Sequence, residues 1–139
     1  MHKAFNQIFP ALDQNKPRIV QFLPDNEYNI PTGRYILNEL HCVEDNCDCR
    51  FIYISVHKES GGLEANISFG WESIAYYAKW MGCGKKDPII KETKGPSVNN
   101  MQQQGPHARA WLKYVKNILL TDHAYVASIK EHYKMVKGK

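Results

Sequence analysis

Tyr35-Ile36-Leu37-Asn38-Glu39-Leu40-His41-Cys42, Phe51-Ile52-Tyr53-Ile54-Ser55-Val56-His57-Lys58 and Leu63-Glu64-Ala65-Asn66-Ile67-Ser68-Phe69 are three consecutive runs rich in β-branched and aromatic residues. The last alternates strictly, with Leu63, Ala65, Ile67 and Phe69 against Glu64, Asn66 and Ser68, which is the period of a strand. Ser60-Gly61-Gly62 supplies a turn between the second and third runs. Strands joined so closely favour an antiparallel meander that leaves a face free for covering helices.

Downstream of these runs the period changes from two to that of a helix. Ile74, Tyr77, Ala78 and Met81 follow the i, i+3, i+4, i+7 pattern, and Gly82 stands where a left-handed stop is expected. From Gly84 to Gly105 the chain is rich in Lys, Asn, Gln, Gly and Pro and reads as a surface loop. Ala108, Trp111, Leu112, Val115, Ile118 and Leu119 then form an apolar stripe, with Arg109, Lys113 and Lys116 opposite. Thr121-Asp122 offers a restart with an N-cap, and Tyr125, Val126, Ile129, Tyr133 and Val136 make the inward stripe of a last helix.

Upstream, Lys3 to Leu12 predicts a short amphipathic helix interrupted by Pro10. Arg18 to Leu23, bounded by Pro17 and Pro24, predicts an edge strand, and a turn-rich stretch from Asp25 to Gly33 follows it. The resulting expectation is an α+β fold: an antiparallel sheet of three to four strands with C-terminal helices packed on one face. One domain spans 1–139, its sheet and cysteine hairpin over about 17–70 and its helical part over about 71–137. At 139 residues and 43% hydrophobic content the chain has material for one core.

No stretch approaches the roughly 18 apolar residues of a membrane span, and Met1-His2-Lys3-Ala4-Phe5-Asn6 lacks the apolar run of a signal peptide. The expected location is cytoplasmic, with no membrane partner. Charge is uneven: residues 1–78 carry six Lys/Arg against ten Asp/Glu, net −4, and residues 79–139 carry twelve against four, net +8. That asymmetry marks Lys113, Lys116, Lys130, Lys134 and Lys137 as a candidate surface for a protein partner or, more weakly, for nucleic acid. The competing reading is a solvated helical face, because the lysines are interspersed with core positions.

The chemistry lies in the turn between the first two strands. Cys42, Cys47 and Cys49 are separated by four residues and by one, and in a reducing compartment such clustering points to a metal clip. Zinc wants about four thiolate or imidazole donors in a tetrahedron, and a hairpin turn can supply three of them. Alternative readings are buried free thiols, a redox pair of Cys47 and Cys49, a Cys42–Cys47 bridge in an exported protein, or iron in place of zinc.

For the fourth ligand Cys83 is the chemical favourite, in its Gly82-Cys83-Gly84 setting. His132 and His41 are the alternatives, although His41, next to Cys42, should face the other side of its strand. Four protein ligands make a closed, structural ion, whereas three leave a position for water and open a hydrolytic reading. Glu39, Glu72 and His57 are then the available bases, without a His-Glu-x-x-His or His-x-Glu arrangement. Phosphate-binding, nucleotide-binding and serine-hydrolase motifs are absent from the sequence.

Glu39-Leu40-His41-Cys42, Cys47-Asp48-Cys49-Arg50, Ile67-Ser68-Phe69-Gly70-Trp71-Glu72-Ser73, Lys94-Gly95-Pro96 and Asp122-His123-Ala124-Tyr125 through His132-Tyr133 occur in that order. The set resembles a family of uncharacterised bacterial proteins with a Cys-Asp-Cys-Arg strand start, a Phe-Gly-Trp-Glu-Ser turn and a final His-Tyr, matched over 35–136. The resemblance implies a common fold and metal site, and it implies no reaction. Cys83 has no counterpart in the family pattern, and the Ser97-Val98-Asn99-Asn100 stretch departs from it. The expected function is therefore zinc binding with a mainly structural role in a small interaction or adaptor module. The alternatives are a metal-dependent hydrolase with an open zinc position and a thiol redox protein.

Overall fold

β3 (Gly33–Cys42) is the strand on which the rest of the sheet is assembled. In the computed structural model, which describes residues 1–12, 17–98 and 101–138, it pairs antiparallel with β4 (Phe51–Lys58), and β4 pairs with β5 (Leu63–Gly70). Readings that fall on 13–16, 99–100 and 139 lie outside the described residues. The three central strands match the expected runs to within two residues, because period-two apolar patterns of this length have one way to bury a face.

The sheet is wider than three to four strands. β1 (His2–Ala4) and β2 (Arg18–Phe22) both pair antiparallel along the free side of β3, β1 against Leu40 to Cys42 and β2 against Gly33 to Leu37. A two-residue strand, β6 (Ser97–Val98), lies against Ile67 and Ser68 of β5. The described sheet thus has six antiparallel strands. Where Lys3 to Leu12 was expected to be helical, only α1 (Phe5–Ile8) is, since Lys3 and Ala4 pair with β3.

α2 (Ile74–Met81) ends as expected, with Gly82 left-handed at φ 69° and Ser73 capping its start by accepting from the Tyr76 N–H. The segment read as a loop contains a helix, α3 (Pro88–Lys94). Its Asp87 side chain accepts from the Ile89 N–H, Pro88 is the first helical residue and Gly95 follows the last. α4 (Ala108–Tyr114) continues into a π turn over Val115–Leu119, and α5 (His123–Lys137) starts at the expected Asp122 cap.

The two pleat faces are covered by different helices. Tyr35, Leu37, Ile52, Ile54, Val56, Ala65 and Ile67 share one face and pack against Trp111, Val115, Leu119 and Ile129, so α4 and α5 lie together on it as expected. Ile118, assigned to the apolar stripe, is exposed, because the π turn rotates the stripe. On the opposite pleat, Ser68 Oγ donates to the Thr93 carbonyl of α3, and Phe51 meets Trp80 of α2. Asn66 and Ser68 are consequently buried rather than solvated, and Glu64 is buried on the first face. A bulge at Val56/His57 accompanies the burial of Glu64, which accepts from Trp111 Nε1 at 3.3 Å. Gln104 caps the edge of β5 like a short strand, accepting from the Asn66 N–H at 2.8 Å and donating to its carbonyl at 2.9 Å.

Candidate metal centre

The hairpin between β3 and β4 brings the Sγ atoms of Cys42, Cys47 and Cys49 within 4.8 Å of one another, as free thiols. Tetrahedral zinc with bonds of about 2.3 Å sets its sulfurs roughly 3.8 Å apart, so the three need only a small closure to share an ion. Asn46 at φ 61° and Arg50 at φ 49° are left-handed, and these two positions fold the connection back on itself. Cys42 and Cys49 are buried and Cys47 is half-buried.

The thiols differ in acidity. Burial works against the Cys42 thiolate, but the Glu44 backbone N–H, the Cys47 and Cys49 thiols and the Lys137 ammonium outweigh it and lower its pKa. Burial and the neighbouring Cys42 raise Cys47, and burial pushes Cys49 up to about 12. A cation bound among the three thiols would displace their protons.

Around the thiols the motifs of the resemblance converge. Asp48 receives a two-pronged hydrogen bond from Arg50 at 2.7 and 2.9 Å and a third from the Tyr133 hydroxyl at 2.9 Å. The Arg50 interaction, opposed by desolvation, holds the Asp48 carboxyl below its ordinary range. Tyr76 donates to the Asp48 carbonyl and Tyr77 to the Arg50 carbonyl, the latter at 2.6 Å. Trp71 lies edge-on to Tyr133 at 5.2 Å, and Lys94 donates to the Glu72 carbonyl. The Cys-Asp-Cys-Arg start, the Gly-Trp-Glu turn and Tyr133 of the final His-Tyr therefore form one clamp on the hairpin.

Sequence expectations for the fourth ligand divide here. Cys83, just past α2, is half-buried beside the same apolar cluster, yet its Sγ is not among the ligand atoms within 4.8 Å. His41 and His132 lie on the other pleat face, grouped with Glu39 instead. A residue the motif reading missed is His2, directly opposite Cys42 across β1 and β3, with a buried Nε2 that has no hydrogen-bond partner. Only the three-residue pairing of β1 reveals it, and the sequence carries no signal of that pairing.

Of the candidate bases, Glu72 faces Arg50 at 3.8 Å and His57 faces Ser55 at 3.4 Å. Lys113, Lys116, Lys130 and Lys134 are exposed. Lys137 is not a free surface cation: its Nζ donates to the Cys42 carbonyl at 3.0 Å and the Glu44 carbonyl at 3.3 Å. Among the described residues no helix is long and apolar enough to cross a membrane. No family model, curated protein or solved structure matches the chain.

Proposed function

We propose that this protein is a small zinc-binding interaction module in which the ion has a structural role. The carrying observation is the convergence of Cys42, Cys47 and Cys49 on one turn. An ion there would close the β3–β4 connection, which α2 and α5 grip through Tyr76, Tyr77 and Tyr133. Zinc is favoured over iron because three clustered thiols fall short of the four that iron–sulfur centres generally use. Cys83 and His2 compete for the fourth position, the first by chemistry and the second by its place opposite Cys42, though neither has a donor atom in the 4.8 Å group.

The exposed lysines Lys113, Lys116, Lys130 and Lys134 form the basic face offered to a partner of acidic character. A shared ancestry with the bacterial family of the Cys-Asp-Cys-Arg motif belongs to the same proposal.

Elemental mass spectrometry of protein purified without chelator tests the reading, with Cys83→Ser and His2→Ala alongside. Zinc retained by wild type, lost from Cys42→Ser and reduced in one of the two variants supports it and names the fourth ligand. Zinc content indifferent to Cys42→Ser overturns it.

A further inference from the structure

On the face of β3 opposite Cys42, Glu39, His41 and His132 form a second cluster whose ligand atoms also lie within 4.8 Å of one another. Strand alternation puts Glu39 and His41 on the same side, and α5 brings His132 over them. His132 Nδ1 is 2.8 Å from Glu39 Oε2 and 3.2 Å from Oε1, and His41 Nε2 is 3.6 Å from Oε1. Donors around a tetrahedral zinc with bonds of about 2.0 Å are separated by about 3.3 Å, within the span of these distances.

His41 points to a ligand independently of that spacing. Its side chain is fully buried, Nδ1 has no hydrogen-bond partner, and Nε2 reaches only Glu39 Oε1 at 3.6 Å, too far for a hydrogen bond. Buried polar atoms left in this state are rare, and a cation bound at Nε2 accounts for one of the two. His132 is prepared for the same task. Its Nε2 lies 3.3 Å from Ser128 Oγ and its Nδ1 2.8 Å from Glu39 Oε2, so the hydroxyl can hold the Nε2 proton once a cation displaces the one between Nδ1 and Glu39. Phe5 stacks on the His132 ring at 3.9 Å and 11°, which restricts its rotation. A cavity of about 160 Å³ adjoins the cluster, with Glu39, His132, Arg18 and Tyr125 in its wall.

We propose that Glu39, His41 and His132 bind a second divalent cation of the zinc class through imidazole and carboxylate donors, with water in the fourth position on the cavity side. Two histidines and one carboxylate form the donor set of an open Lewis-acid centre, unlike the thiol set across the strand. The site stands on its own residues and does not depend on the thiol reading.

The test is metal content and cobalt substitution on the full chain. Wild type should hold two equivalents of zinc, and His132→Ala and Glu39→Gln one each. With cobalt, the thiolate-to-metal charge-transfer band reads the cysteine site alone and should persist in both variants. Cys42→Ser/Cys47→Ser should lose that band and keep one cobalt. If the wild type binds one cation that vanishes with His132→Ala and shows no thiolate band, the thiol reading fails and this one stands. Unchanged metal content in both His132→Ala and Glu39→Gln overturns the second site and leaves a buried ion pair only. Should either variant unfold by circular dichroism, zinc titration of the wild type decides: shifts of the His41 and His132 ring resonances support the site, and their absence refutes it.

Discussion

The Tyr133 hydroxyl donates to Asp48 Oδ1 at 2.9 Å and accepts the Arg50 backbone N–H at 3.2 Å, so α5 is tied to both sides of Cys49. Removing the hydroxyl leaves that N–H unpaired beside a carboxylate. Tyr133→Phe should destabilise the fold by about 1 kcal/mol, the net contribution of a typical hydrogen bond, since the site is half-buried. Urea unfolding of the variant against wild type measures it, and a midpoint equal to wild type would show that the tie is idle.

Metal removal should be felt as lost stability. An ion present at a hundredfold excess over its dissociation constant stabilises by about 2.7 kcal/mol, which for a chain of this size is on the order of 10 °C in Tm. Scanning calorimetry with and without chelator reads the difference. A superimposable pair of curves would rule out a structural ion.

The lysines of the C-terminal half should separate into two groups. Lys137→Met loses two hydrogen bonds to the hairpin carbonyls and should lower Tm and metal affinity together. Replacing Lys113, Lys116, Lys130 or Lys134 by Gln should change stability by no more than about 0.5 kcal/mol each, since exposed side chains contribute little. Thermal melts of the five variants distinguish the groups, and partner binding that weakens with salt should track the second group only.

Acid should weaken the metal-free protein at mildly acidic pH. Burial, helped by the N-terminal and Lys137 ammonium groups, lowers His2 from 6.5 to about 4. Because the folded value lies below the unfolded one, the unfolded chain binds more protons between these values. Stability present at neutral pH is therefore lost as pH falls from about 6.5 to about 4. His2→Gln should flatten the dependence in that window, as followed by urea midpoints at each pH, and an unaltered slope would assign it to other groups.

Gly95 should resist substitution. Its φ is 55°, and an added Cβ would sit 2.0 Å from the Ser68 carbonyl oxygen. Gly95→Ala should cost more than about 1 kcal/mol in a denaturation experiment, the direction expected where φ is positive and space is lacking.

The central meander was legible because β3, β4 and β5 carry long runs whose periodicity permits one register, and because Gly82 and Asp122 mark helix ends by backbone chemistry. α3 was also marked, by Asp87, Pro88 and Gly95, but the polar composition around it outweighed those signals. β1 was not legible: three residues acquire strand geometry only by pairing with Leu40 to Cys42. Nor was the burial of Asn66 and Ser68, which follows from Gln104 and α3 covering the second pleat.

By itself the sequence determined that Cys42, Cys47 and Cys49 are neighbours, since one short hairpin limits how far their sulfurs can separate. It also determined that His41 turns away from Cys42, since adjacent strand residues face opposite sides. Only the tertiary structure decided that Cys83 stands outside the close thiol group, that Lys137 is bound to the hairpin, and that His132 meets Glu39 across 93 positions of chain. Such contacts depend on how α2 and α5 pack on the sheet, and packing is a property of many side chains at once that no local spacing records.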